Sequence, residues 1–205
     1  MAEWFRNSTW NDTVERAFNE KLRRARRKGQ YLRIQACTLA ASHPTAALKL
    51  LDLYFALPIE FDQAQGHVDQ ASAYLAMGRV RDAVDAYEAA LKREGEFPSL
   101  LTQAYLRLPY LIATQNLRDL FARAKILLEM HKSRLLLPVD HFCWHAAHAL
   151  MASEEGDTGA SRTHAGKALE AAAQEKSGFR HHPSVGLVTE QYDEIIEKVR
   201  ALRVA

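Results

Sequence analysis

His141, His145 and His148 follow one another at spacings of four and three. On an α-helix those intervals return to nearly the same direction, so the three imidazoles would share a face. Imidazole nitrogens are common ligands of zinc and related metals, and Cys143 or His164 stands close enough in sequence to add a donor. Phe142 and Trp144 interleave with these histidines, which is the company that core residues keep. The segment therefore reads first as core or interface histidines. No metal is expected, with a metal-responsive switch through His141, His145 and His148 as an alternative function to test. If buried and neutral, these rings would loosen their packing on protonation near pH 6.

A second concentration of chemistry is cationic: Lys21, Arg23, Arg24, Arg26, Arg27, Lys28 and Arg33. Clustered positive charge rewards phosphates. On one continuous helix, however, about 100° per residue fans these side chains around the whole circumference outside the apolar stripe. The formal net charge is only +2, and no aromatic residue lies between Lys21 and Lys28 to stack on a base. These points argue against nucleic acid and favour a solvated face or an acidic protein partner, with a nucleic-acid-binding or regulatory role for the basic first helix as the alternative.

Catalysis finds little support. The chain has no glycine-rich phosphate loop, nucleophile elbow or zinc-protease HExxH motif. Glu94, Glu96, Glu154 and Glu155 fall at expected helix ends or turns, where carboxylates are solvated. The two cysteines, Cys37 and Cys143, lack a CxxC arrangement and sit in helical periodicity, so they read as small buried hydrophobes. The first residues lack the apolar core of a signal peptide, and no run reaches the roughly 20 apolar residues of a membrane span. A cytoplasmic protein without cofactor or membrane partner is expected.

The elements that must carry these residues are helices. One long helix is expected from Asn11 or Asp12 to Ala41, with Val14, Phe18, Leu22, Ala25, Gly29, Leu32 and Ala36 on one stripe. Pro44 restarts the chain after a break, and Pro58 stops the next helix. Turns at Gly78, Asn116 and Gly156 divide the rest of the chain, giving helix pairs over about 11–57, 61–94, 99–132 and 140–175. Pro109 should kink the first helix of the third pair or stop it early. A final helix near 189–202 presents Tyr192, Ile195, Ile196, Val199 and Leu202 on one face, suited to capping the stack. Trp4, Phe5 and Trp10 read either as a second cap or as an exposed arm, and the loop through Phe179, Arg180, His181 and His182 either as a connector or as a recognition loop.

The spacing repeats. Gly78 is followed by Ala83, Tyr87, Ala90 and Leu91, and Gly156 by Ser161, Ala165, Ala168 and Leu169. With Ala71 and Tyr74, residues 64–97 resemble a tetratricopeptide repeat, and residues from 142 to about 175 resemble one through Ala149, Ala152 and Gly156. The chain is also similar to small bacterial proteins with such repeats through Glu3-Trp-Phe-Arg-Asn7, Gln30–Ala36 and Ser177-Gly-Phe-Arg180. The resemblance implies an all-α, right-handed solenoid of about four hairpins with a C-terminal capping helix, forming one domain over 1–205.

In that family, the first helix of each hairpin lines a concave groove. Carrying the phase across places Leu32, Ala36, Val68, Ser72, Leu75, Gln103, Leu106, Tyr110 and Ala146 at the groove, flanked by Arg33, Asp69 and Arg107. The implied function is an adaptor that binds another protein, a peptide or a partner helix, with its own last helix as the competing occupant. The basic set with which related clamps grip a terminal carboxylate is absent. The oligomeric state is open.

Overall fold

The computed structural model describes residues 3–58 and 63–204, and among them every regular element is helical. The chain divides into two compact units, Met1–Ala104 and Tyr105–Ala205.

The first unit opens with α1 (Asp12–Arg24), α2 (Lys28–Leu39) and α3 (Pro44–Phe55). Asn11 caps α1 by accepting from the backbone N–H groups of Thr13 and Val14, at 3.1 and 3.0 Å. The continuous helix expected to Ala41 is not formed: Ala25 is extended, and α2 begins three residues later. Helical continuation would stack Arg23 over Arg27 and Arg24 over Lys28, like-charge pairs that each disfavour helix. The break also folds α1 back, so that Phe18, only 1% exposed, joins Leu32, Ala36, Leu39, Leu50, Leu51 and Tyr54 in one core. Along a straight helix Phe18 would stand about 27 Å from Ala36 and could not reach that core.

The N-terminal aromatics close this core. Trp4 lies 5.5 Å from Phe18 and 4.9 Å from Tyr31, and Trp10 lies 5.6 Å from Phe18. Fully buried Gln35 holds the segment by its polar end. Its Oε1 accepts from the backbone N–H and Nδ2 of Asn7, both at 2.9 Å, and its Nε2 donates to the Asn7 carbonyl at 2.8 Å.

The start expected for the next helix, Phe61, lies outside the described residues. From there α4 (Gln63–Ala76) and α5 (Val80–Glu96) pack along each other through buried Ala71, Ala83, Ala86 and Ala90. Gly78 turns between them at φ +70°, a left-handed conformation that glycine adopts without strain. Gly66 brings α4 against α3 so closely that a Cβ there would sit 2.7 Å from the Tyr54 ring.

The second unit carries α6 (Ala104–Thr114), α7 (Phe121–Met130), α8 (Pro138–Glu154), α9 (Thr158–Ala172) and α10 (Asp193–Val204). Helix α6 starts later than the expected Ser99, because the Thr102 hydroxyl accepts from the Ala104 N–H at 3.1 Å and sets the helix start there. It runs through Pro109 without stopping. Only the Tyr105 carbonyl loses its helical partner to the proline, in the first turn of a buried helix. Asn116 makes the next turn at φ +51° and Gly156 the one between α8 and α9 at φ +82°. Ser161 fastens that pair by donating to the Ala149 carbonyl at 3.1 Å. Helix α10 packs on α9 and α8 through Ile195 and fully buried Val199. No helix among the described residues is long and apolar enough to cross a membrane.

Candidate functional site

In the first unit the expected groove residues are mostly engaged with the protein itself. The Arg33 guanidinium on α2 meets the Asp69 carboxylate on α4 at 3.2 Å, and Gln65 donates to the other carboxylate oxygen at 3.2 Å. Asp69 is buried. Burial raises its pKa, outweighing the opposing hydrogen bond from Gln65 and the charge of Arg33. Arg33 and Asp69 thus brace α2 against α4. Val68 lies in the core, whereas Gln103 is exposed just ahead of α6. Cys37, expected to be buried, is exposed, because it lies one position past the inward stripe of Leu32, Ala36 and Leu39.

The break between α1 and α2 rearranges the basic run. Arg16, Lys21, Arg23, Arg24, Arg26, Arg27 and Lys28 are all exposed. Arg16 and Arg23 from α1 and Lys28 from α2 line one open cleft, together with Asn19, Glu20 and Leu22. This convergence is absent from a straight helix.

In the second unit Leu106 is buried, Arg107 is exposed and Tyr110 is half-buried. Tyr192, in the turn leading into α10, packs edge-on to Tyr110 at 6.1 Å and to Phe142 at 5.3 Å. Its hydroxyl and the Cys143 thiol are near enough to influence each other's ionisation. Burial pushes the Cys143 thiol up to about 12, and burial likewise raises Tyr110 and Tyr192, so none of the three ionises near neutrality. The positive field of Arg107 reaches Cys143 and Tyr192.

The histidines separate. His141 is exposed, while His145 and His148 on α8 meet His164 on α9. The Nδ1 atoms of His145 and His164 share a hydrogen bond of 3.0 Å, so one ring donates and the other accepts. His148 stacks on His164 at 4.7 Å, and Trp144 touches all three rings while donating its indole N–H to the Leu128 carbonyl at 3.1 Å. The Lys132 ammonium sits over Trp144 at 5.0 Å, and Glu129 stands 3.6 Å from the buried His148 Nε2. Burial, followed by the charges of His164 and Lys167, pushes His145 down to about 3. Burial and then His164 push His148 down to about 4, and burial and Lys167 lower His164. These are neutral rings packed against one another. No group of three or more histidine, cysteine or acidic side chains among the described residues is arranged to hold a metal ion. His145 and His164 use their Nδ1 atoms on each other, and Cys143 is buried.

Some of this was invisible in sequence. Glu94, expected to be solvated, is buried and accepts from the Thr102 N–H at 2.7 Å and from the Thr102 hydroxyl. The pairing of Asn7 with Gln35 left no sequence signal beyond a polar residue within an apolar stripe. His164 and Tyr192 were legible as residues but not as the partners of His145 and Tyr110. Comparisons of the chain with protein-family models, curated proteins and solved structures find no match.

Proposed function

We propose that the chain is a helical-repeat protein of the tetratricopeptide kind, an intracellular adaptor that binds a segment of another protein. The paired helices, with small residues between them and left-handed turns at Gly78, Asn116 and Gly156, agree with this reading. The observation that carries it is Arg107. Among the described residues this exposed guanidinium has no carboxylate within ion-pair distance, and it stands one helical turn from the half-buried Tyr110–Tyr192 pair. Tyrosine and arginine are enriched among the few residues that dominate the energetics of protein interfaces. The chemistry suits an acidic or carbonyl-rich segment that lays an apolar side chain beside the tyrosines.

The contact area is narrower than the groove expected from sequence, because Val68 and Leu106 are internal and Arg33 is paired. A photo-crosslinking residue at exposed Gln103, four residues before Arg107, should capture one discrete protein in the native cell, and adding Arg107→Glu should abolish recovery of that protein without changing the melting temperature. Recovery of the same protein with the charge-reversed chain overturns the reading.

A further inference from the structure

Residues 16–28 hold seven cationic side chains against one carboxylate, Glu20, so the remainder of the chain is net acidic by four although the total is +2. Several cations elsewhere are neutralised: Arg6, Arg33, Arg79, Arg93, Arg118 and Lys125 each reach a carboxylate. Across residues 16–28 the single ion pair formed among the described residues is Arg24 with Glu20, at 4.0 Å and with both side chains mostly exposed. An exposed pair at that distance neutralises little.

The placement also runs against helix electrostatics. A helix N-terminus carries partial positive charge and favours acids. Helix α2 begins at Lys28 behind Arg26 and Arg27, with no acid in its first turn and no side-chain cap from Arg27. Beyond the weak Arg24–Glu20 pair, no ion pair among the described residues offsets this concentration of charge, and local conflicts of this kind are expected at functional or strained sites. The cleft between Arg16, Arg23 and Lys28 gives the charge a shape.

We infer that the α1–α2 corner binds the phosphodiester backbone of nucleic acid, with Arg16, Arg23 and Lys28 as the central contacts and Arg26 and Arg27 flanking. Arg16 and Arg23 stand seven residues apart on α1, about 10 Å along its axis. The ligand must therefore repeat its negative charge over that length, which a phosphate chain does and a single phosphate does not. Five of the seven cations are arginines, whose planar forks match paired phosphate oxygens. An anionic membrane fits less well: the apolar side of α1 is turned inward, with Phe18 in the core and Val14 and Leu22 half-buried, leaving no apolar face to insert. Binding of this kind reads backbone charge rather than sequence. The site is independent of the proposal for Arg107, and either can fail alone.

The test is fluorescence anisotropy of the full chain against a labelled single-stranded RNA of roughly 20 nucleotides across a salt series, with a DNA duplex of similar length in parallel. Neutralising three or four phosphates predicts that log affinity falls with log salt at a slope of about −2 to −3 for the single strand. The combined variant Arg16→Gln, Arg23→Gln, Lys28→Gln should weaken binding about tenfold or more and flatten the slope. A triple control with the same change in net charge, Lys92→Gln, Arg162→Gln, Arg180→Gln, should stay within about twofold of wild type. All six side chains are exposed, and circular dichroism verifies that each variant is folded. A milder pair, Arg26→Gln with Arg27→Gln, should weaken binding by a smaller factor. The inference is overturned by salt-independent binding or no binding, by equal losses in the control triple, or by poly-glutamate competing as well as RNA at equal charge. Recovery on phosphatidylserine vesicles without RNA binding would overturn it as well.

Discussion

Gln35 is the residue whose removal should be felt furthest from its own position. Its amide meets three polar groups of Asn7 while the surrounding side chains are apolar. Gln35→Leu keeps the volume and strands the Asn7 donors, at a cost of about 2 to 3 kcal/mol measured by chemical denaturation. Trp4 and Trp10 fluorescence should report release of the N-terminal segment before the helices melt. The histidine cluster makes a second residue-scale prediction. His145 and His148 have folded pKa values pushed below their ordinary 6.5, to about 3 and about 4, so the unfolded chain binds protons more readily. Their contribution to stability is full above pH 6.5 and declines as pH falls from there toward 4. Thermal melting at pH 7 and pH 4.5 should show this loss, and His164→Gln should reduce the difference between the two pH values. An unchanged difference would mean that carboxylates elsewhere account for it.

At the scale of elements, close approach is set by single glycines, and two of them should respond to alanine in opposite directions. Gly66→Ala drives a methyl to 2.7 Å from the Tyr54 ring and pushes α4 away from α3, at a cost of about 1 to 3 kcal/mol. Gly166, inside α9, has open space where a Cβ would go, so Gly166→Ala should stabilise by about 0.5 to 1 kcal/mol through helix propensity. Equilibrium urea unfolding of the two variants separates the cases. The glycine turns were legible because positive φ has a residue signature, and Asn116 could be placed for the same reason. The break after Arg24 was not. Its cause is repulsion between cations one turn apart, together with the pull of Phe18 into a core built by α2 and α3, and the second of these is a tertiary term.

At the scale of the whole molecule, the chain is organised as two compact units of nearly equal length. Each owns a buried core: Phe18, Leu39 and Leu51 in one, Leu108, Leu128, Phe142 and Val199 in the other. Expressed separately, Met1–Ala104 and Tyr105–Ala205 should each give helical circular dichroism and a cooperative melt; a piece that stays unfolded would show that its core needs the other unit. Charge is also distributed at this scale. The basic corner lies in the first unit, while the candidate protein contact at Arg107 and the neutral histidine cluster lie in the second.

The sequence by itself determined the helical class, the positions of most turns and the small-residue faces. Those come from periodicity, proline, and the backbone freedom of glycine and asparagine, all of which act within a few residues. Tertiary structure decided which polar groups are buried and which remain available. Glu94 is enclosed because Thr102 folds back onto it, and Arg33 is occupied because α4 brings Asp69 to it. His145 and His148 join His164 because α9 packs beside them, whereas His141 on the same helix stays exposed. Arg16, Arg23 and Lys28 line one cleft because the chain breaks between α1 and α2. Burial and pairing depend on chain segments far apart in sequence, and no local pattern encodes their distance.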